Sequence, residues 1–252
     1  MRITVLGKWS PYPRGNGACS GYLIESNNSI ILLEIGNGIF GKVEQYGSFW
    51  NSEAIICTHL HADHSGDLPL ARNAVKTGVL YDKIQGKMPV YLPGKPELNY
   101  SIIDTYQDGL DLNIIENLPE QGLYKVAEVG NFKLKFFKVE HTMLAYGVSI
   151  EVGGKTIVYS GDTQYFPDLI DFAKDADLFI SEATVLEKNK DYAVGRHLTA
   201  RQAGEIARKS NAKKFLPSHF FPEYDLNIVK KEIEEGYGKE VDMAEEGMII
   251  DI

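Results

Sequence analysis

Thr58-His59-Leu60-His61-Ala62-Asp63-His64 follows directly on the apolar run 54–57, and three of the chain's six histidines fall within it. The pattern His-x-His-x-Asp-His arises by chance on the order of 10⁻⁴ times in a chain of this length and composition, so it reads as chemistry rather than coincidence. In an extended segment residues two apart point the same way. His59 and His61 can therefore hold one cation while Asp63 and His64, beyond a turn, hold a second. Neutral imidazole and carboxylate suit Zn²⁺, and metals about 3.5–4 Å apart can clamp both the attacking and the leaving oxygen of a displacement. A structural zinc site is usually closed and rich in cysteine. The two cysteines, Cys19 and Cys57, stand in no metal-binding spacing. They read as reduced and buried, and the histidine cluster reads as an open, catalytic site.

Around this cluster the chain has the composition of an average globular protein. Its 252 residues are 44% hydrophobic and 24% charged, enough apolar material for one domain spanning 1–252. Its apolar runs are far shorter than the ~20 residues that cross a bilayer. The segment 1–7 lacks the apolar core of a secretory signal, so a cytoplasmic location without membrane contact is expected. A net charge of −9 argues against a broad nucleic-acid surface, since phosphates are neutralised by clustered Lys and Arg. It leaves room for a short phosphate-bearing substrate.

Periodicity predicts strands at 2–7, 21–25 and 29–35, the last two joined by Ser26-Asn27-Asn28, then a helix after Gly38 and a buried strand at 54–57. A helix is predicted over 68–75. The segment 77–131 is broken by Gly and Pro and yields no clear elements. Strands follow at 132–139, 145–152 and 155–160, the last pair joined by Gly153-Gly154, which supplies the positive φ of a tight hairpin. A helix at 167–173, a strand at 177–182, a helix at 200–210, a strand at 214–217 and a helix at 226–235 complete an α+β pattern, two packed sheets flanked by helices. His141, Asp162 and His219 each lie just past the carboxyl end of a predicted strand, where such sheets place their sites. Taken singly, Asp162 also reads as a turn residue and either histidine as a core residue. Their shared position makes them candidate ligands for a two-metal site.

These elements resemble the metallo-β-lactamase superfamily over essentially the whole chain. The resemblance implies a four-layer αββα sandwich. It also implies that His59, His61 and His141 hold one Zn²⁺, that Asp63, His64 and His219 hold the other, and that Asp162 bridges them. Related diiron proteins carry a carboxylate where His61 stands, so the likeness is to the zinc branch, with Mn²⁺ as the alternative ion. The family's first motif usually ends an early strand with Asp, and this chain has Glu34 there. The opening Val5-Leu6-Gly7-Lys8-Trp9 is similar to small metallo-hydrolases of bacilli.

His197 precedes a helix whose start, Thr199-Ala200-Arg201-Gln202, is a capping box, and such helix termini favour phosphate oxygens. Ser181-Glu182-Ala183-Thr184 and His197-Leu198-Thr199 resemble the paired HEAT and HST motifs of ribonuclease Z-like phosphodiesterases. That likeness implies that Glu182 positions His197, which protonates the leaving oxygen. His197 also reads as a helix-capping residue without a catalytic task. The interval 142–161 has room for a hairpin but not for the tRNA-gripping arm of ribonuclease Z. A small phosphodiester or nucleotide is therefore the expected substrate, with nucleic acid confined to short segments. The expected reaction is hydrolysis by water whose pKa two cations lower from about 15.7 to about 7, with Asp63 orienting it and the helix start before Ala200 stabilising the phosphoryl charge. The alternatives are a lactone, thioester or β-lactam hydrolase, a tRNA 3′ endonuclease, and a metal-binding module without turnover. Trp9, Tyr12 and Arg14 are expected at the edge of the site, where they can stack on a base or pair with a phosphate. The resemblance further implies a homodimer.

Overall fold

Alternating side chains decide how the layers stack in the computed structural model, which describes residues 1–27, 29–47 and 49–252. The first sheet holds β1 (Arg2–Gly7), β2 (Gly21–Ser26), β3 (Ser29–Leu33), β4 (Ser52–Ile56), β5 (Met88–Leu92) and β6 (Leu110–Ile114). The second holds β7 (Glu120–Gln121), β8 (Tyr124–Val129), β9 (Phe132–Val139), β10 (Ala145–Val152), β11 (Lys155–Tyr159), β12 (Leu178–Glu182) and β13 (Phe215–Ser218). A last strand, β14 (Ile249–Asp251), returns to the first sheet beside β1, so each sheet has seven strands among the described residues.

Along β1 to β4, Ile3, Val5, Tyr22, Ile24, Ile31, Leu33, Ala54 and Ile56 face the second sheet, while Leu6, Leu23, Leu32 and Ile55 between them face outward. The outward set packs under α1 (Ile39–Tyr46) and α3 (Leu68–Leu80) through Ile39, Val43, Leu68, Ala71 and Val75. On the far side Leu169 of α5 (Asp168–Phe172), Ala203 and Ile206 of α7 (Ala200–Ser210) and Ile233 of α8 (Leu226–Tyr237) cover the second sheet. The result is helices, sheet, sheet, helices: the αββα sandwich. Both faces of each sheet are covered, which is why 54–57 reads as an unbroken apolar run rather than an alternating one.

The direction of the strands places the site. β3, β4, β5 and β6 run parallel to one another. β11, β12 and β13 are also parallel, and β9, separated from β11 by the antiparallel β10, points the same way. Residues just after β9, β11, β12 and β13 therefore emerge along one edge of the second sheet.

Several predicted boundaries shift. The helix predicted over 68–75 continues to Leu80, because Gly78 extends the buried face of Leu68, Ala71 and Val75 at helical spacing. Residues 77–131, which offered no pattern, contain β5, α4 (Glu97–Asp104), β6, β7 and β8. β14 was not anticipated, since three residues carry no readable period. The β2–β3 pairing runs from Tyr22↔Leu33 to Ser26↔Ser29, but Asn28 of the predicted turn lies outside the described residues. Gly153 and Gly154 have φ of 58° and 75°, as the tight hairpin required.

Candidate metal centre

The cluster is held in place from below by backbone. After β4 the chain bends at Thr58 and His59 and reaches His61, whose backbone stands at the N-cap of the single helical turn α2 (Ala62–Ser65) carrying Asp63 and His64. The loop docks onto the end of β3: Ile35 N–H donates to His64 O at 2.9 Å and Ser20 N–H to Asp63 O at 3.2 Å. Gly36 makes this possible, because a Cβ there would lie 2.0 Å from Asp63 O. Asp162 depends on Gly161 before it, whose φ is +60° and whose Cβ would meet Tyr146 O at 2.4 Å.

Seven side chains converge on this loop. His61 Nδ1 lies 3.0 Å from His59 Nε2 and 3.1 Å from His141 Nε2. His64 Nε2 lies 3.0 Å from His219 Nε2. Asp162 stands between the two groups: its Oδ1 is 3.4 Å from His64 Nε2 and 3.1 Å from His219 Nε2, and its Oδ2 is 3.7 Å from His59 Nε2. Asp63 Oδ2 completes the second group, 3.6 Å from His64 Nε2 and 3.5 Å from His219 Nε2. Each group has its ligand atoms within 4.8 Å of one another, and Asp162 belongs to both. His59, His64 and His219 are fully buried and Asp162 almost so.

Their outer hydrogen bonds decide which ring nitrogens are free. Thr58 Oγ1 donates to Glu34 Oε1, so towards His59 Nδ1, 3.2 Å away, it can only accept. The Arg196 carbonyl likewise accepts from His141 Nδ1 at 2.6 Å. Thr184 Oγ1 donates to Glu182 Oε2 at 2.6 Å and accepts from His219 Nδ1 at 2.8 Å. The proton of each of these three imidazoles is thus committed outward, and its Nε2 lone pair points at the other ligands. Three such lone pairs, together with the unpartnered buried Oδ1 of Asp162, make a set of donor atoms suited to a cation. The residues present fit a pair of divalent ions.

Electrostatics agree at the first group. Burial, reinforced by neighbouring histidines, lowers the pKa of His59 well below its ordinary value and that of His61 to about 4. Both are neutral, as metal ligands must be. Burial works against charge at His64 too, but Asp162, Asp63 and Glu34 hold its pKa well above normal. Burial likewise opposes ionisation of Asp63, yet His64 and His219 keep its carboxyl well below the usual range.

Beside the second group His197 Nδ1 lies 3.2 Å from Glu182 Oε1 and 3.8 Å from Asp162 Oδ2. Although burial favours the neutral ring, Glu182 and then Asp162 push His197 up to about 9. Glu182 is fixed by Thr163 N–H at 2.7 Å as well as by Thr184. Glu182, His197 and His219 also lie close enough to form a third ligand group, but His219 shares its Nε2 with the second.

Two expectations need correction. The helix start before Ala200 is closed: Thr199 N–H donates to the Gln202 side chain, Gln202 N–H to Thr199 Oγ1, and Ala200 N–H to Val185 O at 2.8 Å. With Thr199 and Ala200 fully buried, the capping box uses up donors expected to meet a phosphate. The loop 9–14 reaches the site through Ser10 and Pro11 instead of Trp9 and Arg14. Trp9 is drawn inward by its pairing with Phe220, and Tyr12 packs edge-on against Phe221, with ring centroids 6.2 Å apart.

The sequence reading missed Ser10, whose Oγ donates to Asp63 Oδ2 at 2.8 Å; a lone serine carries no signal. It also gave no role to Thr58 and Thr184, although both stood inside the stretches it singled out. Tyr192 and Arg196 were missed as well. With His61, His141 and His197 they line a cavity of about 400 Å³ over the metal ligands.

A family model described as the β-lactamase superfamily domain matches residues 43–220. The chain is 29% identical over 255 residues to the probable metallo-hydrolase YhfI of Bacillus subtilis, covering 99% of each. It is 24% identical over 316 residues to the ribonuclease Z of Myxococcus xanthus, covering 100% of this chain and 98% of the relative. The crystal structure of the metallo-β-lactamase fold protein YhfI superposes with a TM-score of 0.90 at 27% identity, over 99% of this chain and 98% of that one. Human tRNase Z, short form, shares the fold with a TM-score of 0.76 at 22% identity, over 100% of this chain and 99% of that one.

Proposed function

The chain belongs to the β-lactamase superfamily, and from that premise we propose that this metallo-hydrolase uses two Zn²⁺ to cleave a small phosphodiester or nucleotide. His59, His61 and His141 would hold one ion and Asp63, His64 and His219 the other, with Asp162, which stands within reach of both groups, shared between them. Bound there, the ions supply Lewis-acid charge for the phosphoryl oxygens and water acidic enough to react at neutral pH.

The chain's own groups do the rest. Asp63, fixed by Ser10 at 2.8 Å, orients the water with its carboxylate. His197 opens on the same cavity and delivers its proton to the departing oxygen, while Glu182, 3.2 Å away, holds the ring and favours its charged form. This pair carries the reading. A leaving alkoxide needs a proton where a thiolate does not, so a fixed imidazolium beside the cluster favours phosphodiesters over thioesters.

Small substrates are favoured by topology. Residues 145–159 are consumed by β10 and β11, with a two-glycine turn between them, which leaves no arm in that interval to grip a tRNA. The relatives named ribonuclease Z support the phosphodiester chemistry.

The test is turnover by zinc-loaded protein of bis(p-nitrophenyl) phosphate, 2′,3′-cyclic nucleotides and short RNA, set beside a lactone and a thioester. Phosphodiesters should be the better substrates; His61→Ala should abolish most of that activity, and His197→Ala should abolish most of it on the nucleotide and RNA substrates, with far less effect on bis(p-nitrophenyl) phosphate. Faster turnover of the carbonyl substrates, or unchanged rates in both variants, would reject the proposal.

A further inference from the structure

Arg196 is the only lysine or arginine among the residues lining the cavity over the metal ligands. Its guanidinium lies over the Tyr192 ring at 5.1 Å from the centroid, and Tyr192 is itself 61% exposed. Its one hydrogen bond is to the neighbouring Val194 carbonyl at 3.3 Å, and it pairs with no carboxylate among the described residues. In a chain of net charge −9, an exposed arginine at the mouth of the site, stacked on an aromatic ring and unmatched by an acid, is arranged to meet an anion.

The Arg196 backbone carbonyl accepts from His141 Nδ1, on the side of the ring away from the cluster. The segment that carries the guanidinium is thus set behind a metal ligand, outside the ligand cluster. The adjoining cavity, about 780 Å³ and meeting the first at His141 and Thr142, carries Lys95 and Lys138 against Glu116 and Glu140. Its charges balance, so it has no comparable preference.

Building on the phosphodiesterase reading, we propose that Arg196, stacked on Tyr192, is a specificity-determining residue that binds a second, non-reacting phosphate. The substrate class is then a phosphodiester with a neighbouring phosphate, such as a phosphorylated dinucleotide or oligonucleotide end. Arginine's planar fork suits this task better than an ammonium would.

Two measurements on the zinc-loaded protein test this. The first compares binding of adenosine 3′,5′-bisphosphate and adenosine 5′-monophosphate. The wild type should prefer the bisphosphate by roughly tenfold or more, the gain expected of a charge-assisted bidentate contact. Arg196→Ala should reduce the preference below about threefold and Arg196→Lys should restore part of it. The second measures kcat/KM on the dinucleotides ApA and pApA, where the same ratio should appear in the wild type and vanish in Arg196→Ala. A wild-type preference near unity, or an equal loss on both ligands in Arg196→Ala, would overturn the proposal. Arg196-dependent bisphosphate binding without cleavage of either dinucleotide would sink the phosphodiesterase reading and leave the phosphate contact standing. Cleavage of both dinucleotides at equal rates would do the reverse.

Discussion

Glu34 follows the early strand β3 beside the cluster, where the family resemblance leads one to expect an aspartate, and Glu34→Gln isolates what its charge contributes. The carboxylate is fully buried and accepts from the two donors of Thr58, with the His64 ring beside it. Thr58 N–H reaches its two oxygens at 3.3 and 3.2 Å, Thr58 Oγ1 donates to Oε1, and His64 Nδ1 lies 3.4 Å from Oε1. A glutamine of the same shape keeps one acceptor oxygen and turns a donor towards the rest, so at least one buried donor loses its partner. That costs about 1–3 kcal/mol. Because these donors belong to Thr58, which sets His59, and the neighbouring ring is the candidate ligand His64, the expected cost falls on metal binding. Loss of such an outer partner typically weakens binding 10–100-fold, and at about 1.4 kcal/mol per tenfold the two estimates coincide. Competition with a chromogenic chelator should therefore show the zinc dissociation constant rising roughly 10–100-fold. Glu34→Asp, shorter by one methylene, should fall between. Melting of the metal-free proteins serves as the control for folding. If zinc affinity stays within threefold of the wild type, or if the metal-free variant is destabilised by as much as binding is weakened, Glu34 does not act through the ligands.

Three further outcomes follow from the geometry. His197→Ala should lower kcat by about 10²–10⁴ on a phosphodiester with an alkyl leaving group and far less on a p-nitrophenyl one, with zinc content unchanged; equal losses on both would remove His197 as the proton donor. Gly36→Ala places a methyl 2.0 Å from Asp63 O, so the metal loop must shift; the variant should lose zinc stoichiometry and unfold at lower urea, and a variant with full zinc content would show that the loop can yield. Asp177 accepts from Lys213 Nζ at 2.9 Å, Thr156 N–H at 3.0 Å and Lys155 Nζ at 3.3 Å, which together hold its pKa down to about 2 from 3.8. A lowered carboxyl pKa adds stability that is present above the unfolded value and lost as pH falls through the folded one. Allowing for screening of the two solvent-facing lysines, Asp177→Asn should cost about 1 kcal/mol at pH 7, a difference that shrinks as pH falls from 4 towards 2 in urea titrations; a difference independent of pH would refute the pairing.

The parts of the fold that were legible are those where one physical rule acts alone. Phe132, Leu134 and Phe136 alternate with Lys133 and Lys135 because β9 buries one face. Thr199 and Gln202 mark a helix start because both halves of the capping box are local. The segment 77–131 was illegible because β5 carries Pro89 within it and β7 is two residues long, so pairing with neighbours rather than intrinsic pattern makes them strands. In the site, ligands announce themselves by residue type: imidazoles and carboxylates after strand ends have few other uses. Their supports do not. Thr58, Thr184 and Ser10 are common residues whose roles exist only once distant segments meet. The misreading at Ala200 has the same root, since the pattern that predicts a capped helix start also predicts that its donors are occupied.

The strand order explains why one carboxylate can serve both the ligands and the acid. β11, β12 and β13 are adjacent and parallel, with Tyr159 opposite Ile180 and Glu182 opposite Ser218. Asp162, Glu182 and His219 are therefore delivered side by side, with Glu182 in the middle. From there its Oε1 reaches Thr163 N–H and His197, while its Oε2 takes the Thr184 hydroxyl that fixes the tautomer of His219. A buried charge shared in this way is fully hydrogen-bonded, which offsets the cost of taking it out of water. It also ties the orientation of the proposed proton donor His197 to that of the proposed ligand His219, through Thr184. The place of β12 between β11 and β13 is what brings the two under one carboxylate.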